Sequence, residues 1–265
     1  AFNNLNRPKE ITYIESPTEN GQARYLPQWI RTNLTEDEKE TAVVLCNESM
    51  LQPVLHSLPE NVSHLNITMG FTLSQTPAYS FVNALMELHT AGYNPNNGRY
   101  RFDEVISVLR HPYTRQLSPE AGKLEKALTQ DNRFYPLPSE LEKDEALELL
   151  FQPREGNLSL CIMLAEALKR MAACYQQQAA SADAAFDQLY REALFNAFTL
   201  INRFHTLTES GELQVQPATF KRLLTRVMSA ASIPFHGEPA IGMQVMGVLE
   251  TRNLDFRHLI MLSVN

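Results

Sequence analysis

The sequence has 265 residues, of which 44% are hydrophobic, so the chain is long enough to bury one large core or two smaller ones. Its formal charge is −7, whereas a continuous surface for duplex DNA is usually basic. Any contact with nucleic acid is therefore expected to be local. No stretch approaches the ~18 apolar residues of a membrane span, so we expect no membrane contact. The first residues lack the charged start and apolar segment of a signal peptide, and we expect a cytoplasmic location.

Short apolar runs alternate with helical patterns in the first ninety residues. We predict three strands there, at 11–16, 41–46 and 65–70. Helical patterns follow each of them, and the last begins at Thr76, an N-cap residue placed before Pro77. Alternation of strands and helices at this spacing is typical of βαβ units and predicts a parallel sheet.

The pattern changes after a loop rich in Asn, Gly and Pro at 91–100. From about 102 to 231 the sequence predicts helices and almost no strands, and 158–175 is apolar enough to be buried nearly all round. Strand patterns return at 243–249 and 258–264. The predicted fold class is thus α/β, with a parallel-sheet lobe interrupted by a large all-helical insertion. We assign 1–90 and 236–265 to the lobe and 91–235 to the insertion.

Sequence motifs for catalysis and metal binding are missing. There is no phosphate loop, no GxGxxG and no GxSxG, and the seven histidines are scattered without metal-ligand spacing. The three cysteines also lack CxxC spacing and are expected to be small buried hydrophobic residues. We therefore predict no catalytic residue and no metal site in this chain.

Two basic groups could contact phosphate or could be ordinary solvated faces. The first surrounds the loop that enters the insertion and contains Arg99, Arg101, Arg110, His111 and Arg115. The second lies on the last predicted helix of the insertion and contains Lys221, Arg222 and Arg226. Both interpretations remain open for each group.

The final stretch, "VMGVLETRNLDFRHLIMLSVN", places a polar turn from Glu250 to Asp255 between two apolar strands. In parallel sheets, ligands bind at such strand ends. The stretch resembles motif V and the following strand of superfamily 1 DNA helicases of the UvrD/RecB type. It is closer still to the helicase-like subunit of AddAB/RexAB helicase-nucleases. Residues 41–59 resemble motif IV of the same family, which implies a second RecA-like lobe with a 2B-type helical insertion.

Several residues depart from the family pattern. Leu45 and Cys46 stand where active relatives carry a Tyr-Arg pair that stacks on adenine and reaches phosphate. At motif V, Leu249 replaces the His, Arg252 the Lys and Asn253 the Gly, and Asp255 stands where relatives have a Glu near the nucleotide sugar. The resemblance therefore implies a degenerate nucleotide site, with Cys46 and Asp255 nearest to it. We expect no cofactor in this chain, with ATP and Mg²⁺ left to a longer protein.

The resemblance implies an internal fragment of an AddB/RexB-like helicase-exonuclease of double-strand break repair. Its role would be a DNA-tracking scaffold for a PD-(D/E)xK nuclease domain outside this chain, beside a helicase-nuclease partner subunit. We expect the fragment itself neither to hydrolyse ATP nor to cut DNA. The rival hypothesis is a non-catalytic α/β scaffold whose helical insertion binds a protein partner.

Weak binding of single-stranded DNA follows from the leading hypothesis. The candidate contacts are Arg252, Thr251, Arg99, Arg101 and Arg115. Arg252 is the first choice because a strand-end arginine is permanently charged and well placed for phosphate. The structural alternative is that Arg252 pairs with Glu250 or Asp255 and only holds the turn together.

Overall fold

The computed structural model describes residues 8–59, 62, 64–177, 184–233, 242–252 and 254–264, without the side chains of 177 and 184–188. The chain forms two compact units, Ala1–Gly70 with Pro234–Asn265 and Phe71–Ile233. The predicted boundary between 235 and 236 lies outside the described residues. Residues 71–90, which the sequence places in the lobe, belong to the second unit instead.

The described elements are as follows in chain order. The helices are α1 (Glu19–Asn33), α2 (Leu51–Ser57), α3 (Pro77–Glu87), α4 (Phe102–Arg110), α5 (Pro112–Leu117), α6 (Ala121–Gln130), α7 (Pro138–Leu141), α8 (Glu145–Phe151), α9 (Gly156–Gln177), α10 (Ala184–Glu209) and α11 (Pro217–Ala230). The strands are β1 (Thr41–Leu45), β2 (Leu65–Ile67), β3 (Phe71–Thr72), β4 (Tyr93–Asn94), β5 (Arg99–Tyr100), β6 (Ser232–Ile233), β7 (Met243–Gly247) and β8 (His258–Leu262).

A four-stranded parallel sheet is the centre of the first unit. Its strand order is β2-β7-β1-β8, and all three pairings are parallel. Val43 of β1 pairs with Val245 of β7 on one side and with Ile260 of β8 on the other. This confirms the predicted α/β class and the placement of 41–46 and the two strands near the end of the chain in one parallel sheet.

Burial explains why these residues form the sheet. All five residues of β1 and all five of β7 are buried, as expected for central strands covered on both faces. Helix α1 begins after Thr18, whose side chain accepts a hydrogen bond from the backbone N–H of Gly21. Its buried residues Leu26 and Ile30 belong to the face of α1 that packs in this unit, where the helix contacts α2 and β8.

The predicted strand at 11–16 is wrong. These residues form no regular secondary structure, and Tyr13 is 91% exposed, with Ile11 and Ile14 also exposed. A β-branched pattern describes a surface suited to a sheet but supplies no hydrogen bonds by itself. Among the strands that the structure describes, none pairs with 11–16, so its apolar side chains stay in solvent.

The second unit is helical, as predicted for 102–231, and the strands described within it form two short antiparallel pairs. Strand β3 pairs with β6, so the first and last residues of the unit are hydrogen-bonded to each other. Helix α3 packs on α10 and α11, which explains why it belongs to this unit. Helix α9 is less enclosed than predicted, because Ile162 is 54% exposed. No helix in the described ranges is long and apolar enough to cross a membrane.

Candidate nucleic-acid interface

The carboxyl ends of β1 and β8 meet at one edge of the sheet. The backbone N–H of Cys46 donates to the carbonyl of Leu262 at 3.0 Å, which extends the pairing beyond both strands. Ser263 then turns the chain with a φ of 57°, in a region that few non-glycine residues adopt. Its backbone N–H donates to Oε1 of Gln22 at 2.7 Å, so the turn is held by α1.

The first turn of α1 supplies a carboxylate to this edge. Oε1 of Glu19 accepts hydrogen bonds from Nδ2 of Asn47 at 2.8 Å and from Oγ of Ser263 at 3.0 Å. These two bonds, Asn47 first, lower the pKa of Glu19 below its ordinary value. Because both donors come from the segments that follow β1 and β8, Glu19 joins those segments and presents an acceptor to them rather than to a ligand.

The turn after β7 is organised by Glu250. Its Oε2 accepts the backbone N–H of Gly247 at 2.9 Å and the hydroxyl of Thr68 at 2.6 Å. Thr251, a predicted DNA contact, donates its hydroxyl to the carbonyl of Val248 at 2.7 Å. Glu250 therefore ties the turn to the segment after β2, and Thr251 is a local turn residue with its hydroxyl hydrogen engaged.

Arg252 lies at the end of this turn and is exposed. It forms no salt bridge with Glu250, Asp255 or any other residue that the structure describes. The carboxylate of Glu250 is already bonded to Gly247 and Thr68, so the turn does not need the arginine. The structural alternative for Arg252 is thereby weakened, and its guanidinium is available to a ligand.

The two residues expected nearest to a nucleotide are both at the surface. Asp255 is exposed in the loop that leads to β8. Cys46 is also exposed, directly after β1, so the expectation that all three cysteines are buried is wrong for this one. It is exposed because β1 ends at Leu45, where the backbone leaves the buried sheet for its carboxyl edge. Asn253 lies outside the described residues.

The basic group near the insertion is largely neutralised. Arg110 donates to Glu125 at 2.7 Å, and Arg115 pairs with the same carboxylate. Together the two guanidinium groups help to lower the pKa of Glu125, with the hydrogen bond from Arg110 as the largest cause. Arg115 also donates to the carbonyl of Leu109, so it connects α4, α5 and α6. This candidate DNA contact therefore has an evident structural role.

His111 does not add positive charge to that group. Its Nε2 is 3.0 Å from the hydroxyl of Ser80, and its Nδ1 accepts the backbone N–H of Tyr113 at the start of α5. Its ring lies 5.0 Å from that of Phe81. Burial lowers the pKa of His111 to about 4, so the ring is neutral at neutral pH and acts as a helix cap.

The remaining candidate arginines of the loop are less engaged. Arg101 is 3.5 Å from Glu104, a loose pair with more than half of the arginine side chain exposed. Arg99 donates from Nη1 to the carbonyl of Tyr135 at 2.8 Å and forms no salt bridge within the described chain. These two keep donors free toward solvent, because a guanidinium carries five N–H groups.

The group on α11 is mixed in the same way. Lys221 pairs with Glu87 of α3, and Arg222 donates to the hydroxyl of Thr219 at 3.3 Å. Arg226 is exposed, and no salt bridge of the described residues includes it. Lys221 therefore holds α11 against α3, while Arg222 and Arg226 lie on the solvent face.

The sequence did not identify the residues beside Arg99 and Arg101. Tyr135, Phe134 and Arg133 follow α6 and reach the loop through two backbone hydrogen bonds to Tyr100 and Phe102. Phe134 and Tyr135 are 58% and 61% exposed. The available signal was the run "NRFYP", in which two adjacent aromatic residues stand in a polar loop where no helical or strand pattern would bury them.

Metal ligands do not gather in the described part of the chain, where no group of three His, Cys, Asp or Glu side chains could hold an ion. Beyond the geometry, comparison with known proteins adds no identification. No protein-family model matches the sequence, and the search of curated proteins finds no match either.

Proposed function

We propose that this chain is part of an AddB/RexB-like helicase-nuclease of double-strand break repair. In this proposal the first unit is a degenerate RecA-like lobe and the second is its 2B-type insertion. The chain is a DNA-tracking scaffold that guides a single strand to a nuclease domain, and it works beside a helicase-nuclease partner subunit. The resemblance of 41–59 and of the closing stretch to motifs IV and V supports this assignment.

One observation carries the proposal, namely the exposed and unpaired Arg252 at the carboxyl edge of a parallel sheet. Ligands of open α/β sheets bind at this edge. A guanidinium with no carboxylate partner loses nothing internal when it binds a phosphate, and its charge is permanent. Carboxylates that follow the ends of the strands, such as Glu250, or that bond those segments, such as Glu19, are occupied by internal donors, but their charge still opposes a nucleic acid. Binding is therefore weak and local.

The test is binding of a fluorescein-labelled oligo-dT, followed by anisotropy, with Arg252→Ala as the variant. We expect a loss of about 1 kcal/mol in binding free energy, the order of one charge-assisted contact at an exposed site. Affinity should also fall with salt at a shallow slope, because only a few phosphates are neutralised.

Arg257→Ala is the matched control. Arg257 lies in the same loop but directly before the amino end of β8, where its guanidinium is 3.2 Å from Glu40. Both substitutions remove one positive charge, so a general change in net charge affects them equally. Equal losses for the two variants would contradict a specific contact, as would a loss at Arg252→Ala that comes with a large drop in melting temperature.

The rival function, a scaffold whose helical unit binds a protein partner, is favoured by two exposed apolar residues. Phe195 of α10 is 66% exposed, and Ile162 of α9 is 54% exposed. A contiguous exposed apolar patch is typical of a surface that a partner covers, whereas single exposed apolar residues are common on any protein. If a Phe195→Ser variant failed to join an otherwise intact subunit complex while oligo-dT binding was unchanged, the rival would be favoured.

A further inference from the structure

A small antiparallel arrangement presents the loop arginines next to Tyr135. The backbone N–H of Tyr100 donates to the carbonyl of Pro136, and that of Phe102 donates to Phe134, both at 3.0 Å. Strand β5 also pairs with β4 on its other side. The two donors flank Arg101 and the two acceptors flank Tyr135, so these bonds bring Tyr135 beside Arg101.

The side chains of residues 99–101 alternate between two faces of the backbone. Successive residues of an extended segment point to opposite sides, so Tyr100 lies on the opposite face from Arg99 and Arg101. Tyr100 is fully buried, and its hydroxyl donates to the carbonyl of Phe151 at 2.8 Å. Arg99 and Arg101 therefore lie on the outer face of this segment, and the ring of Tyr135 is 61% exposed beside them.

Charges on this outer face nearly balance. Arg133 donates to Glu140 at 2.5 Å, and Arg101 lies beside Glu104. The pKa of Glu140 is lowered, first by the backbone N–H of Leu137 and further by Arg133 and Arg99. Two other exposed carboxylates, Asp103 and Asp131, are close along the chain. The face therefore has little net positive potential, and an exposed ring is its more distinctive property.

We infer that Tyr135 is a stacking platform for one unpaired base of a single-stranded nucleic acid, with Arg99 and Arg101 placed to hold the adjoining phosphate. A ring stacks on a base only when the face of that base is open, which a duplex does not offer. Duplex binding would also need a strongly positive surface, which the paired carboxylates deny. The nearby carboxylates of Glu104 and Glu140 disfavour the core of a protein interface, where Glu and Asp are depleted.

The donor geometry supports the division of roles between ring and arginines. Arg99 uses Nη1 to bond the carbonyl of Tyr135 at 2.8 Å, which holds its guanidinium beside the residue that carries the ring. The other donors of Arg99 remain for a phosphate. The inference rests on the proposed function for the class of ligand, but the site belongs to the second unit, whereas Arg252 belongs to the first.

The decisive variant is Tyr135→Ala, measured by anisotropy with oligo-dT and with an abasic oligonucleotide of the same length. We expect about a fivefold or larger loss of affinity for oligo-dT, the lower bound for one stacked base. Tyr135→Phe should bind like the wild type, because stacking needs the ring and not the hydroxyl. The abasic strand should bind more weakly to the wild type and should not distinguish it from Tyr135→Ala.

Tyr13→Ala provides the matched control, because Tyr13 is an exposed tyrosine in a segment without arginine, and its loss should leave affinity unchanged. If Tyr135→Ala lost its fold, Tyr135→Leu would replace it, with the same expected result. Wild-type affinity in Tyr135→Ala, or an equal loss for the abasic strand, would overturn the stacking site.

The outcomes also separate this inference from the proposed function. Loss at Arg252→Ala with none at Tyr135→Ala overturns the stacking site and leaves the carboxyl-edge contact in place. Loss at Tyr135→Ala with none at Arg252→Ala does the reverse. A wild-type chain that fails to bind oligo-dT at low salt overturns both.

Discussion

Replacing Gln244 by alanine would remove half of a buried amide pair that joins β2 to β7. Nδ2 of Asn66 donates to Oε1 of Gln244 at 2.6 Å, and Nε2 of Gln244 donates to the carbonyl of Gly242 at 2.9 Å. Asn66 is only 3% exposed, so water cannot easily replace the lost acceptor. We expect the free energy of unfolding of the first unit to fall by about 2 kcal/mol, within the range for a buried polar group left unpaired.

The natural assay is urea unfolding followed by tryptophan fluorescence. The chain has a single tryptophan, Trp29, which lies on α1, and α1 packs on α2 and β8 within the first unit. The fluorescence of Trp29 therefore reports on the unfolding of the first unit rather than of the second. With a slope of about 2 kcal/mol per M urea, the expected loss moves the midpoint by about 1 M. Gln28→Ala, at an exposed position of α1, should stay within ~0.5 kcal/mol of the wild type.

A double-mutant cycle decides whether the pair itself is responsible. Asn66→Ala should also lower the free energy of unfolding of the first unit. The loss in the double variant should be smaller than the sum of the two single losses by about 1 kcal/mol or more, because neither amide is left without its partner. Additive losses would refute the reasoning, since they would mean that each amide acts independently. An unchanged Trp29 transition in Gln244→Ala would refute it too.

Two further predictions concern stability. Gly242 has a φ of 81°, and a Cβ there would collide with the backbone of His64, so Gly242→Ala should lower the Trp29 midpoint by more than the ~1–2 kcal/mol of left-handed strain alone. Gly156 has a φ of 77° with open space around it, so Gly156→Ala should lose only the strain energy, measured by unfolding followed by circular dichroism. Equal losses of stability in the two variants would contradict the collision at Gly242. Burial lowers the pKa of both His89 and His111 to about 4, so unfolded chains bind more protons and the helical unit should lose stability as pH falls from about 6.5 towards 4. Thermal melts across that range should show a smaller fall in melting temperature for His111→Asn, whose side chain can still cap the N–H of Tyr113. A dependence of melting temperature on pH equal to that of the wild type would mean that His111 is not responsible.

The sheet could be predicted because its central strands are buried on both faces. Runs such as "TAVVL" at 41–45 and "MQVMG" at 243–247 are almost continuously apolar, which is typical of parallel strands under helices. The segment 11–16 has an equally strand-like composition, yet it forms no strand. Local pattern reports what a residue prefers, whereas a strand also needs a neighbour, and the sequence does not show which segments are neighbours.

The candidate site shows the same limit at the level of side chains. The exposure of Arg252 could be anticipated, since a turn at the end of a strand is exposed whichever strands are its neighbours. His111 could not be recognised as a neutral cap, because its burial depends on Phe81 and Ser80, thirty residues earlier in the chain. Tyr135 escaped notice for a related reason, since it lies in an irregular segment that two backbone hydrogen bonds, from β5 and from the start of α4, bring to Arg101.

The strand order has a consequence for when the proposed DNA contact can exist. Strand β7 lies between β2 and β1, so the two early strands are not neighbours and share no ladder. The sheet closes only after the chain has passed through the whole second unit, at the entropic cost of a long loop. The turn that carries Arg252 is held by the hydrogen bond from Thr68, in the segment after β2, to Glu250. A phosphate contact at Arg252 therefore depends on sheet closure, so loss of β7 pairing should abolish it even when the helical unit is intact.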